Sequence, residues 1–550
     1  MAASKPAQSD EKKRPRKKRD RAAEIANTFE WLITAFILAF VFRAFVMEAF
    51  RIPTGSMADT LMGAHFRLRC PECGYRYEYG FVPQNYGMRQ DTVPAGPVPL
   101  RQPTRCPSCG AFTPESKTLP VANGDRILVL KCIYQFMEPK RWDVIVFKNP
   151  TDPSENYIKR LIGLPEEEIE IIDGDVYIDG LIARKPAQVQ QEVWMPVYDR
   201  DFQPVNPSQR TAFNGNRWQP PFNFDTSAWQ VSAANPTQIV LDVPSDQVSD
   251  LHYGAAPSAN AFNITYAYND VRSYERTPLC SDLMVRFHVE AGSAEGQIGV
   301  ALTKHGVEYK ATLDLAGEMI LSQAINRRET VLRRKDIDAP APGVFTLVKF
   351  ACVDHQLLFE FNGNELSVDL GRTPDALPQG DANSPHAAIF GSGKLVVSHL
   401  AVFRDIYYTG DGQSSREARA VEGNPFKLNK DEFFVLGDNS PNSEDGRWWR
   451  APHLTSKGWA PPRAGVVPRH YLVGKALFVY WPSGFEFPWP RKLKQFLLEN
   501  NDRNLALRLV HGIVSLRWIP NVGQMRFIYG GTKRNSIPPG TPEPVQQAKR

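Results

Sequence analysis

A long apolar run near the N-terminus constrains this chain most, because it fixes which side of a membrane the remaining residues can occupy. Residues 29–47 read FEWLITAFILAFVFRAFVM, close to the roughly 20 residues that an α-helix needs to cross a bilayer. Glu30 and Arg43 lie near its ends, where charged side chains reach the headgroups. The sequence therefore predicts a transmembrane helix over 29–47.

The segment before this run is strongly basic, although the whole chain carries a net charge of only +5. Residues 11–21 read EKKRPRKKRDR, a composition also typical of nucleic-acid-binding tails. The adjoining apolar run favours a membrane role instead, so the lipid bilayer is the predicted partner and nucleic acid is not. By the positive-inside rule, residues 1–28 form a cytoplasmic tail and the rest lies outside the plasma (inner) membrane.

A cleaved signal peptide is the alternative interpretation of the same run. The run is longer than a usual signal-peptide core, and residues 48–51 offer no Ala-x-Ala exit. We therefore predict an uncleaved, single-pass anchor.

Directly after the anchor, residues 51–57 read RIPTGSM, in which Pro53 and Gly55 are turn formers. Ser56 has no Gly-x-Ser-x-Gly setting, and no histidine stands in a triad-like context. A candidate base is Lys159, in the strand-like run YIKRLIGLP (157–165). Its amine would have to be neutral, against an ordinary pKa of about 10.4, and burial can lower a lysine pKa that far. Taken singly, such residues are more often a turn serine and a surface lysine.

Two further blocks are GDRI at 124–127 and FVLGDNS at 434–440. In this order, after an anchor helix, the four blocks resemble the bacterial signal peptidase I (leader peptidase) family of serine peptidases. The resemblance implies a mainly β protein with an antiparallel β catalytic domain. It also implies cleavage of signal peptides from exported preproteins by a Ser-Lys dyad, without a catalytic cofactor. Ser56 would be the nucleophile and Lys159 the general base, with Thr54 and the Ser56 amide binding the oxyanion.

The resemblance extends to residues around this dyad. Ser443 would hydrogen-bond and orient Lys159, and a second group would hold the site by charge pairing: Asp438, Asp445 and Arg447. Apolar positions that would line the substrate pockets are Phe50, Ile52, Met57, Leu61 and Ile158. Thr54 and Ser440 depart from the serine and arginine of many relatives. We also expect the neighbouring Arg160, together with apolar burial, to lower the pKa of Lys159.

A first insertion, residues 64–119, contains CPECG at 70–74 and CPSCG at 106–110. Paired Cys-x-x-Cys knuckles predict a zinc ribbon with structural zinc on Cys70, Cys73, Cys106 and Cys109. Two disulfides are the alternative, because this segment faces an oxidising compartment. A zinc-dependent hydrolase is disfavoured, since four cysteines leave no open position for water.

A second insertion spans residues 186–424. Its first part, to 253, matches no fold pattern, whereas 254–410 alternates apolar and polar residues and predicts a β-sandwich similar to concanavalin-like jelly rolls. Such a module is a candidate to bind a glycan or a protein, or to act as a spacer. The catalytic domain then comprises 48–63, 120–185 and 425–490, followed by an extension, 491–550, whose segment 505–519 suits a membrane surface. The alternative function is a membrane-tethered binding protein with an inert peptidase core.

Overall fold

The computed structural model describes residues 21–482 except 90–91, 95, 114–116, 255–260, 270–276, 375–383, 411–417 and 451–461, and also 484, 490, 493, 496, 497, 510 and 521–530. Residues 1–20 of the predicted tail and most of the predicted extension, including nearly all of 505–519, lie outside this part. The protein is mainly β with an N-terminal apolar helix, as predicted.

The N-terminal helix runs from Arg21 to Val41 and continues as a π-helical stretch, Phe42–Val46, which leads into the strand Met47–Arg51. The apolar portion, Glu24–Val46, is 23 residues long and none of its most apolar window is buried in the protein. It therefore starts before the predicted residue 29. Shorter helical segments are Pro83–Tyr86, Ile133–Phe136, Ala187–Val193, Arg210–Phe213, Ser440–Asn442, Arg469–Tyr471 and Val522–Gln524.

The central sheet has eight antiparallel strands drawn from distant parts of the chain. In spatial order they are Met47–Arg51, Arg126–Leu130, Leu472–Trp481, Val144–Lys148, Asn156–Gly163, Glu432–Leu436 and Val467–Pro468, with Arg526–Phe527 pairing beside Leu472–Trp481. A second, four-stranded sheet is ordered Leu181–Ile182, Asp175–Ile178, Glu168–Ile172 and Phe426–Lys427. In the central sheet three strands lie between Met47–Arg51, which follows the anchor, and Asn156–Gly163, which carries Lys159.

The first insertion builds three small antiparallel sheets around its cysteines. One contains His65–Arg69, Arg76–Gly80 and Val121–Ala122, and the others pair Val98–Pro99 with Thr118–Leu119 and Thr104–Arg105 with Phe112–Thr113. Each knuckle is the turn of a hairpin, in which Gly74 (φ +78°) and Gly110 (φ +76°) adopt the left-handed conformation that glycine allows. The short strand 121–122 lies just beyond the predicted end at 119.

The second insertion forms a two-layer sandwich of thirteen strands around one apolar core. The strands are Met195–Asp199, Gln230–Val231, Ile239–Val243, Ser249–Tyr253, Leu283–Ala291, Gln297–Lys304, Val307–Asp314, Glu318–Ile325, Arg328–Asp336, Thr346–Val353, Gln356–Phe361, Asn364–Asp369 and His386–Arg404. The last strand, 19 residues long, pairs with one layer through its first half and with the other through its second half. Gly391 and Gly393 lie where it changes layer.

The sandwich begins at Met195, earlier than the predicted 254. The segment that matched no pattern contributes four short strands, and its aromatic residues Phe222 and Trp229 are buried in the sandwich core. These strands are two to five residues long and are separated by proline-containing segments, so they do not give the alternation that the later strands show.

Buried charges join the sandwich to the four-stranded sheet. Lys185, which follows that sheet, pairs with Asp354 and with Asp405 (2.9 Å), both from the sandwich. Lys304 of the sandwich pairs with Asp282 and lies 3.5 Å from Asp175 of the sheet. Removing one partner of such a pair leaves a buried charge uncompensated, so these contacts fix the sandwich against the core.

Candidate active site

Ser56 meets Lys159, which lies on an interior strand of the central sheet. The strand Met47–Arg51 leads into the turn that carries Ser56, and the strand Asn156–Gly163 presents Lys159. The Lys159 Nζ and Ser56 Oγ atoms are 2.5 Å apart. The structure thus brings together the predicted nucleophile and base, which are 103 residues apart in the chain.

Lys159 is only 4% exposed, and burial lowers its pKa to about 8. The carboxylates of Asp445 and Asp438 oppose this shift by stabilising the ammonium, and Arg447 assists it. Desolvation is the largest cause, so a substantial fraction of the amine is neutral near pH 8 and available to accept a proton from Ser56.

The expectation that Arg160 lowers the pKa of Lys159 is not what the structure supports, because Arg447 supplies the nearby positive charge instead. Successive side chains of a strand point to opposite faces, so Arg160 leaves the lysine side of its strand. It is fully buried and donates two hydrogen bonds to Asp438, of 2.8 and 2.6 Å. Its role is to hold the loop that begins at Gly437.

That loop carries a second buried ion pair. Arg447 donates to both Asp445 oxygens, through Nε at 2.9 Å and Nη2 at 2.8 Å. Asp445 also accepts from the Gly437 N–H at 3.0 Å and from the Arg447 backbone N–H at 3.2 Å. The Arg447 Nη1 atom donates to the Ser440 Oγ atom at 2.7 Å. Asp445 thus pairs with Arg447 and Asp438 pairs with Arg160, and all four side chains are 0% exposed. Ser440 is part of this network.

Ser443 does not make the contact with Lys159 that was expected of it. Its hydroxyl is buried and makes no hydrogen bond among the described residues, so the hydrogen bond to Lys159 is not formed. The hydroxyl instead packs against Gly437, whose missing side chain leaves the space for it. The predicted orientation of Lys159 therefore comes from Ser56 and not from Ser443 in this structure.

Thr54 is exposed, two residues before Ser56 in the same turn. The five predicted pocket residues all belong to one apolar cluster, with Phe50 and Ile158 at its partly buried margin. The interior members are Ile52, Met57 and Leu61, of which the last two are 0% exposed. Since a fully buried side chain cannot touch a substrate, Phe50 and Ile158 are the members placed to do so.

The four knuckle cysteines converge, with all sulfur atoms within 4.8 Å of one another. Cys70 and Cys109 are 3.6 Å apart and Cys73 and Cys106 are 3.7 Å apart, whereas a disulfide requires about 2.05 Å. A tetrahedral zinc with Zn–S bonds of about 2.3 Å places its sulfurs roughly 3.8 Å apart. The donor set and its spacing therefore fit zinc.

Four residues at the site were not predicted. Asn439 contacts the carbonyls on both sides of Ser56, and three residues of the sandwich insertion, Tyr266, Tyr268 and Asn269, reach the same loops. Asn439 belongs to the FVLGDNS block, and the segment of the insertion is marked in sequence by an apolar residue at every second position from Phe262 to Tyr268.

Comparison with known proteins defines the class of this core. The family model described as "Signal peptidase, peptidase S26" matches residues 112–234 and 392–481, which include Lys159 and the loop 437–447 but not Ser56. The matched residues are therefore similar to peptidases of the S26 type.

Similar curated proteins narrow the class further. The chain is 32% identical over 152 residues to signal peptidase I of Rickettsia canadensis (strain McKiel), covering 27% of this chain and 42% of the relative. It is 31% identical over 147 residues to signal peptidase I of Rickettsia prowazekii (strain Madrid E), covering 26% and 40%. This part of the chain is therefore similar to signal peptidase I. The match spans less than half the length of these relatives.

Solved structures similar to this one each cover about a third of the chain. The carbohydrate binding module CBM66 from Bacillus subtilis covers 33% of this chain and 94% of that chain at 9% identity, with a TM-score of 0.22. The VIP36 exoplasmic/lumenal domain covers 36% and 88% at 13% identity, with a TM-score of 0.23. At these TM-scores the similarity supports no conclusion about a ligand.

Proposed function

We propose that this chain is a membrane-anchored signal peptidase I that cleaves N-terminal signal peptides from exported preproteins through a Ser56–Lys159 dyad. The observation that carries the proposal is the 2.5 Å contact between Ser56 Oγ and a lysine amine whose pKa is lowered to about 8. The similarity of residues 112–234 and 392–481 to signal peptidases supports the choice of substrate.

Acyl transfer proceeds in two stages. Neutral Lys159 takes the hydroxyl proton as Ser56 Oγ attacks the scissile carbonyl carbon, and the Ser56 amide and the Thr54 hydroxyl stabilise the oxyanion. The C–N bond then breaks, and the resulting Lys159 ammonium returns its proton to the leaving amine. A water molecule loses a proton to Lys159 and attacks the ester carbonyl carbon. The C–Oγ bond then breaks, the Lys159 ammonium returns that proton to Ser56 Oγ, and the signal peptide leaves with a C-terminal carboxyl group that ionises.

The helix Glu24–Val46 anchors the enzyme in the membrane, with the basic tail in the cytoplasm and the catalytic core outside the plasma membrane. Its length and its exposed apolar side chains support this proposal. The helix continues directly into the strand Met47–Arg51, and Ser56 follows that strand by five residues. Ser56 would therefore lie close to the outer membrane surface.

Cleavage of a preprotein by detergent-solubilised enzyme tests the proposed function. We expect the wild type to release a signal peptide and Ser56→Ala to be inactive, because alanine has no nucleophilic oxygen. Ser154→Ala, at an exposed hydroxyl in a surface loop, is the matched control and should cleave at the wild-type rate. Wild-type protein without cleavage, or full activity of Ser56→Ala, would contradict the proposal and leave the inert-core alternative.

We also propose that Cys70, Cys73, Cys106 and Cys109 hold a structural zinc ion. Bound zinc would cross-link the two knuckles of the first insertion and take no part in acyl transfer. Metal analysis of the purified protein should find one zinc per chain, and Cys106→Ser should lose it and make residues 64–119 sensitive to proteolysis. Cys132→Ser, outside the cluster, should retain the metal. Zinc-free protein with the four cysteines oxidised would overturn this assignment in favour of disulfides.

A further inference from the structure

The second insertion reaches into the peptidase site through one segment, residues 261–269. The Tyr266 hydroxyl donates to the Asp438 carbonyl at 3.2 Å, and the Tyr268 hydroxyl donates to the Ala64 carbonyl at 2.9 Å. The Tyr268 ring packs so closely on Gly55 that a Cβ atom there would overlap it. The turn that carries Ser56 is thus shaped by residues outside the family core.

The last residue of this segment forms a reciprocal amide pair with the catalytic loop. Asn269 Nδ2 donates to Asn439 Oδ1 at 2.6 Å, and Asn439 Nδ2 donates to Asn269 Oδ1 at 2.8 Å. Asn439 is 0% exposed, whereas Asn269 is partly exposed. A buried amide needs partners for both its donor and its acceptor, so Asn269 fixes the rotation of the Asn439 side chain.

Asn439 in turn holds the peptide groups on both sides of Ser56. Its side chain donates to the Gly55 carbonyl at 3.0 Å, and its backbone N–H donates to the Ser56 carbonyl at 3.0 Å. The Gly55 carbonyl and the Ser56 N–H belong to one planar trans peptide, so they point in opposite directions. Fixing the carbonyl therefore fixes the direction of the N–H that would bind the oxyanion.

We propose that Asn269 is a positioning residue for acyl transfer: through Asn439 and the Gly55 carbonyl, it aims the Ser56 N–H at the oxyanion. The sandwich insertion is then a structural component of the active site as well as a separate module. This inference rests on the proposed peptidase function.

Asn269→Ala tests the inference. The Asn439 amide loses a donor and an acceptor and is free to rotate away from Gly55, so kcat per folded chain should fall roughly ten- to a hundredfold, as expected for a misdirected catalytic group. KM should be nearly unchanged, and so should the pH midpoint of activity, because Lys159 keeps its surroundings. Asn269→Asp retains an acceptor for Asn439 and should restore part of kcat.

Asn263→Ala is the matched control, since this asparagine lies in the same segment but donates to the Thr277 carbonyl inside the insertion. It should retain wild-type kcat. A double-mutant cycle adds a second test: if Asn269 acts through Asn439, then Asn269→Ala with Asn439→Ala should be no slower than Asn439→Ala alone. Circular dichroism and zinc content report the folded fraction of each variant.

The outcomes separate two failures. Wild-type kcat per folded chain in Asn269→Ala, or independent losses that multiply in the double variant, would overturn the positioning role while Ser56-dependent cleavage still supports the peptidase. A wild type that shows no Ser56-dependent cleavage would overturn the peptidase function, and the inference with it.

Discussion

The Lys159→Met variant is expected to cleave preproteins with a kcat/KM lower by about three orders of magnitude or more, because methionine cannot take the Ser56 proton. The wild-type kcat/KM should rise about tenfold per pH unit on the acidic side and level off above pH 8. The sign follows from the mechanism, since the amine becomes a base only as pH rises through its lowered pKa, about 8. Steady-state kinetics across pH 6–10 measures both effects.

Loss of activity in Lys159→Met should not come from unfolding. A pKa lowered from 10.5 to about 8 means that the folded protein holds this ammonium less readily than the unfolded chain does. The resulting cost of about 3 kcal/mol is complete below pH 8 and disappears as pH rises towards 10.5, so methionine should match or exceed the wild-type stability at pH 7. Lys148→Met, on the adjacent strand, is the control and should remain active. A Lys159→Met variant near the wild-type rate would remove lysine from the mechanism.

Arg447→Met is expected to lower the free energy of unfolding by about 3–5 kcal/mol, since it leaves the fully buried Asp445 carboxylate without its partner. It should also move the pH midpoint of activity upward. Arg447 lowers the pKa of Lys159 whereas Asp445 raises it, so removing the arginine leaves the carboxylate to stabilise the ammonium. Chemical denaturation and the pH dependence of kcat/KM measure the two consequences.

Two variants serve as comparisons for Arg447→Met. Arg447→Lys keeps the charge but loses the two-pronged contact with Asp445, so it should lose stability while its pH midpoint stays near that of the wild type. Arg334→Met removes an exposed partner of Glu318 in the sandwich and should change stability by less than about 1 kcal/mol. An unchanged pH midpoint in Arg447→Met would show that the Asp445–Arg447 pair does not tune Lys159.

The motif blocks and the alternation of apolar residues were enough to predict the β core, the helix before it and the pairing of Ser56 with Lys159. They did not predict the role of Arg160, which was expected to lower the pKa of Lys159 but pairs with Asp438, because neighbours in sequence point to opposite faces of a strand. They also failed for Ser443, because a motif position does not determine whether a hydroxyl rotates towards a lysine or packs against Gly437.

The sandwich shows a different limit of sequence reasoning. Three of its early strands pair with His386–Arg404, far along the chain, and strands of five residues carry too little alternation to reveal a partner at that distance. The contacts of Tyr266 and Asn269 with the catalytic loop are tertiary in the same way. Nothing in a segment outside the family blocks predicts which loop it will touch.

The central claim is that Ser56 attacks the substrate after giving its proton to Lys159. Acid quenching of wild-type enzyme during turnover of a preprotein, followed by mass spectrometry of its proteolytic peptides, tests this directly. We predict a signal-peptide ester on Ser56 in the wild type and none in Lys159→Met. Cleavage that continues with Ser56 unmodified, or an adduct on another residue, would contradict the account.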